Sequence, residues 1–230
     1  MTELLVPALS AYKADASSKY TLCPMFFLSI DPGYDNLGYC YGAICIPKQS
    51  ATPILYIDKQ RFRSREISKM QDASNLDDLA YACNAFYWKV FPDEQLLRKA
   101  VVLFERQYYS ERSSYKRPGL GTAGHKMVLL KAVLTTIAAT KYNCLTVQVH
   151  PNSVKGFCGT GKGAHKQNKA ASLKYVREVL NVDVPNLNDH MCDALLQAYY
   201  YAIEQTQKVD PKALPPKIVF VEDSAALQNL

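Results

Sequence analysis

The sequence holds no run of about 18 or more apolar residues, the length a membrane-crossing helix requires. It has no C-x-x-C pair, no internal repeat and no low-complexity tract. The apolar stretch Leu4–Leu9 is short and interrupted by Pro7, which does not fit a signal peptide. Glu3 and Asp15, with no Arg nearby, argue against a transit peptide. Seven cysteines form an odd set without metal-binding spacing, which excludes a disulfide framework and a zinc ribbon. The expected setting is an intracellular, reducing compartment. Also missing is a second Gly-rich phosphate loop, so a nucleotide cofactor is not expected.

What is present is one domain's worth of chain. The 230 residues are 48% hydrophobic and carry a net charge of +6, with a pI near 8.8. That balance suits a polyanionic partner. The organising stretch is Phe27–Cys40. It reads as a strand, a tight turn at Pro32-Gly33, and a second strand, with Asp31 where the first strand ends. Residues 25–31 and 37–46 form this hairpin, and residues 54–62 a third strand. Apolar spacing from Leu76 to Val90 predicts a helix, with Asn75 as a possible N-cap and Pro92 as its stop. Ala100–Glu105 reads as a buried strand ending in an acid, and 106–121 as a basic loop. A helix at 122–141, a strand at 145–149, a Gly-rich loop at 156–163 and helices at 164–180 and 188–204 follow. The expected class is α/β, a mixed central sheet with helices on both faces. The domain is expected to span 23–204, with a flexible arm at 1–22 and a tail at 205–230 that holds one strand-like piece, Ile218–Val221.

Three acids occupy special places: Asp31 and Glu105 at strand ends, and Asp193 in the first turns of the last core helix. Each has a plain alternative. Asp31 can be a turn former, Glu105 can pair with Arg106, and Asp193 can favour the helix macrodipole. Asp189 reads as an N-cap. Taken together, converging carboxylates suit two divalent ions, which can clamp the attacking and leaving oxygens of a phosphodiester. Between Lys155 and Arg177 there are six Lys or Arg and no acid. Lys155 and Lys166 flank the Gly-rich loop, and Lys162 lies within it. After Glu105, the residues Arg106, Arg112, Lys116 and Arg117 interleave with Tyr108, Tyr109 and Tyr115. Basic and aromatic residues beside an acidic site suit a distorted, partly unstacked nucleic acid.

Four ordered motifs carry a resemblance. They are Ser29–Tyr39 around Asp31-Pro32-Gly33, then Leu103–Tyr108 around Glu105, then Val154–Gln167 with its Lys-Gln opening a helix, and last Asp189–Leu195. Over about residues 26–204 the chain resembles the RuvC-type Holliday junction resolvases of the RNase H-like, retroviral-integrase superfamily. The resemblance implies an RNase H-like fold with a five-stranded mixed sheet. It implies metal ligands at Asp31, Glu105 and Asp193, with a fourth site residue three before Asp193. That residue is His190, while Asp189 at i−4 can approach the same site. Two Mg²⁺ ions are implied, or Mn²⁺, which accepts imidazole more readily. His190 can alternatively be a general base. The implied activity is that of a crossover junction endodeoxyribonuclease in DNA recombination and repair, nicking a four-way junction symmetrically to leave 5′-phosphates. Lys155 and Lys166 match family lysines that hold DNA backbone, and Tyr108 stands where the family places a wedging aromatic. Two symmetric nicks suit a homodimer, with the helix at 122–141 as interface or as ordinary core. An RNase H-like nuclease for RNA–DNA hybrids and a catalytically inactive junction binder are the alternatives.

Overall fold

The computed structural model describes residues 24–33, 36–47, 52–65, 76–91, 93–106, 123–159 and 165–230. Its frame is a six-stranded sheet. β1 (Met25–Asp31), β2 (Leu37–Cys45) and β3 (Ile54–Arg65) form an antiparallel meander. β4 (Ala100–Glu105) and β5 (Leu145–Val149) add in parallel on the far side of β1. β6 (Lys217–Val221) pairs in parallel with β3, so the order is β5-β4-β1-β2-β3-β6. The mixed sheet with β1 at its centre, and helices on both faces, bears out the expected α/β class.

The expected strand count of five is corrected to six. The sixth strand comes from the stretch read as a tail, and its pairing with β3 is non-local. Lys217 N–H donates to Pro53 O at 2.9 Å to open the ladder. Behind it, Asp58 is fully buried and accepts from the Gln60 and Arg61 amides, the Arg61 guanidinium and the Ser224 hydroxyl. Ser224 starts the last short helix, Ser224–Gln228. A buried carboxylate is tolerable when so fully bonded, and this one fastens the C-terminal segment to the sheet.

Strand periodicity sorts the core into two layers. On β1, Leu28 and Ile30 face one side, together with Val102 and Phe104 of β4. That side is covered by α1 (Leu76–Val90), α2 (Glu94–Arg98) and α3 (Ala123–Thr140). Phe27, Val101 and Leu103 face the other side. It is covered by α4 (Pro151–Cys158), α5 (His165–Lys174, running into a π turn over Tyr175–Val179) and α6 (Asp189–Val209). By the same period-two alternation, Ser29, Asp31 and Glu105 belong to the α6 face.

Several local expectations change. The stretch expected to open a Gly-rich loop is helical as far as Cys158, with Pro151 at its first turn and Gly159 closing it at φ 67°. Pro suits a first turn and glycine a left-handed cap. The N-cap of α6 is Asn188, whose side chain accepts from Met191 N–H at 3.0 Å, and not Asp189, which is the first helical residue. In α3 the buried apolar positions are Leu130, Leu134 and Ala138, whereas Val128 and Leu129 are exposed. Asn75 and Pro92 lie outside the described residues.

Candidate active site

β1 and β4 are parallel neighbours, with Ile30 opposite Phe104. One residue further, Asp31 and Glu105 leave the sheet at the same end and on the same face. α6 brings its first turns to that end. His190 Nδ1 lies 2.9 Å from Asp31 Oδ2. With Asp31 ionised its carboxylate only accepts, so Nδ1 is the donor, and in the neutral ring Nε2 then keeps its lone pair. Asp193 follows one turn later. The close approach of α6 depends on Gly38, the residue opposite Asp31 across the hairpin. A Cβ there would stand 2.0 Å from the His190 carbonyl oxygen.

The electrostatics show one coupled cluster. Burial raises Asp31 to about 6, and the Asp193 charge adds to this against the opposing His190 bond. Burial and the Glu105 charge raise Asp193 to about 6. Burial, then Asp31, raises Glu105, while Lys155 and Lys131 oppose the rise. His190 is raised chiefly by its bond to Asp31. Each acid therefore makes ionisation of another harder. Among the described residues, no three His, Cys, Asp or Glu side chains stand close enough together to hold a metal ion as placed.

Asp189 behaves differently. Lys169 of α5 ion-pairs with it. Burial would raise its carboxyl, but the Lys169 bond and the His190 charge hold it below the usual value. Of the two candidates for the fourth position, His190 meets Asp31 and Asp189 turns to Lys169.

Lys155 of α4 lines a small hollow with Glu105 and Asp193. Lys131 of α3 is buried, and burial lowers its pKa despite the Glu105 charge beside it. Arg106 is exposed, and its amide donates to Val149 O at 2.7 Å. Tyr108, Arg112, Lys116, Arg117 and Lys162 lie outside the described residues. So does the side chain of Lys166, whose backbone falls in the first turn of α5.

Sequence reasoning missed Lys131, Lys169, Gly38 and a polar bridge between Gln197 and Ser29, whose amide-to-hydroxyl distance is 2.8 Å. Gln197 did carry a signal, since it stands four residues after Asp193 on an otherwise apolar helix face.

No protein-family model matches the chain, and no curated protein matches it in sequence. Among solved structures it is similar to Thermus thermophilus RuvC, at 18% identity over 83% of this chain and 99% of that chain, TM-score 0.44. It is similar to T. thermophilus RuvC in complex with Holliday junction substrate, at 16% identity over 79% of this chain and 98% of that one, TM-score 0.44. A third similarity is to the yeast mitochondrial Holliday junction resolvase Ydc2, at 18% identity over 83% of this chain and 82% of that one, TM-score 0.48.

Proposed function

We propose that the chain is a metal-dependent, structure-selective DNA endonuclease that resolves four-way junctions by paired symmetric nicks, leaving 5′-phosphates. One observation carries this reading. Asp31, Glu105 and Asp193, from three separate elements, reach one face at one end of the sheet and raise one another's pKa. A protein that only binds DNA gains nothing from partly buried negative charge facing its ligand.

The donor set fits hard divalent cations, because carboxylate oxygens suit them and only positive charge relieves the mutual repulsion. Asp31, Glu105 and Asp193 would hold the ions, and His190 would complete the set. A cation bound there supplies Lewis acidity toward phosphoryl oxygens and lowers the pKa of water. The chain's own residues do the rest. Asp31 fixes the His190 tautomer, so that Nε2 can accept a proton or serve as a donor atom. Imidazole in the set favours Mn²⁺ over Mg²⁺. Lys155 and Lys131 place positive charge beside Glu105, where a phosphate would lie. Asp189, held by Lys169, positions the start of α6 and is not a ligand.

The partner is a four-way DNA junction and the working form a homodimer. Among the described residues no helix is long and apolar enough to cross a membrane. The six described cysteines are free and buried, in keeping with a reducing, DNA-containing compartment.

The test is cleavage of a labelled four-way junction beside a linear duplex and an RNA–DNA hybrid of the same sequence. Each is incubated with Mg²⁺, Mn²⁺ or EDTA, and with Asp193→Asn as control. Paired nicks in the junction alone, faster in Mn²⁺ and absent with EDTA or in the variant, are expected. Cutting of the hybrid would replace this reading with an RNase H-like one. Tight junction binding without a cut in either metal would leave a binding protein.

A further inference from the structure

Ser29 is fully buried, and it stands two residues before Asp31 on the same face of β1. Gln197 is 4% exposed and stands four residues after Asp193 on α6. Its Nε2 donates to Ser29 Oγ at 2.8 Å and lies 3.4 Å from Ile30 O. Leu195, Leu196 and Ala198 on the same helix and Phe27 on the same strand belong to the buried apolar core. A polar bridge in such a place costs desolvation that an apolar pair would avoid.

The spacing shows what the bridge can do. From Asp31 back to Ser29 is about 6.7 Å along a strand. From Asp193 to Gln197 is about 6 Å along a helix. The two steps match, so bonding Gln197 to Ser29 sets Asp193 beside Asp31. Other contacts share this frame. Cys40, opposite Ser29 across the hairpin, directs its thiol to Ala194 O at 3.5 Å. Asn188, at the start of α6, donates to Ser64, which pairs with Gly38. The helix is thus pinned over β3 at its N-cap and over β1 at Gln197. Gln197 also lines the hollow between Glu105 and Asp193.

We infer that Gln197 is a positioning residue, whose side-chain hydrogen bond to Ser29 holds α6 at the register along β1 at which Asp31 and Asp193 serve one divalent cation. The inference rests on the metal-dependent reading above and names what fixes the geometry of that site.

The test compares Gln197→Leu, Ser29→Ala and the double variant Ser29→Ala/Gln197→Leu with the unaltered chain. Two quantities are measured without DNA: thermal stability, and Mn²⁺ affinity from the electron paramagnetic resonance signal of free Mn²⁺. Gln197→Leu leaves Ser29 and Ile30 O without this partner and lowers stability. The double variant removes both polar groups and regains stability. If the bridge positions the ligands, Mn²⁺ affinity stays down by about tenfold or more in the double variant, as for other residues that orient metal ligands. Mn²⁺ affinity that recovers with stability in the double variant overturns the inference. So does an unaltered chain that binds no Mn²⁺ in a form lost with Asp193→Asn. Mn²⁺ bound as expected, with no junction cut, defeats the nuclease reading and leaves the positioning role standing.

Discussion

Asp31 and Asp193 carry raised carboxyls because the fold buries them together. Their folded pKa of about 6 lies above the unfolded value of about 3.9. The sign of the linkage follows. Protons bind the folded state more tightly, so the stabilisation is complete below about pH 4 and is lost as pH rises through about 6. Above that pH both groups are ionised and strained unless a cation joins them. Asp193→Asn therefore should raise stability at pH 7.5 by about 1–2 kcal/mol without metal, while abolishing cleavage. At pH 4 the gain should vanish. Melting curves at the two pH values, with and without Mn²⁺, read this directly. An Asn variant less stable than the parent at pH 7.5 would mean that Asp193 is held by favourable bonds and not by repulsion. Cleavage should rise with pH and level off, with its midpoint below 6 because a bound cation favours the carboxylate forms, which are the working ones.

At the scale of elements, the site exists because α6 lies almost on the backbone of β2. Gly38 permits this, since its Cβ would meet the His190 carbonyl at 2.0 Å and the His190 Cβ at 2.9 Å. Gly38→Ala should push the first turn of α6 away, with a loss of about 1–3 kcal/mol as in other overpacked sites. Cleavage should fall further than stability alone explains, because His190 moves off Asp31. A parallel fall in the two, tracked by urea melts and junction cutting, would place Gly38 in packing only. This element-level geometry marks the limit of the sequence. Asp31 and Glu105 were legible because strand alternation and parallel pairing place like ends together. Asp193 was legible from its place in the first turns of the last core helix. The eight residues of α4 span little more than two turns, too few for periodicity to show. Asn188 and Asp189 are equally good cap formers, so only the backbone decides between them. The Gln197–Ser29 bond joins residues 168 apart in sequence, and β6 joins β3 across a similar distance, so neither pairing is written in local pattern.

For the whole molecule, resolving a junction by two symmetric nicks requires two sites related by a two-fold axis. α1 and α3 lie against each other on the sheet face opposite α6. Both expose large apolar side chains to the outside. Val128 and Leu129 of α3 are 38% and 43% exposed, and Tyr81 and Trp88 of α1 are both 67% exposed. The buried stripe Leu130, Leu134 and Ala138 already serves the core, so core packing does not account for Val128 and Leu129. A stable dimer buries about 800 Å² per partner, more than one helix stripe offers and within reach of two adjacent helices. An exposed apolar surface of this kind marks a contact. Leu129→Glu places a charge among these side chains while leaving the sheet and the acids untouched. Sedimentation should show the unaltered chain as a dimer and the variant as a monomer, with Mn²⁺ affinity retained. On a junction held in a circular DNA, the unaltered chain should make both nicks in one binding event. The variant should release singly nicked junctions. A variant that remains dimeric and still nicks in pairs would move the two-fold axis away from α3.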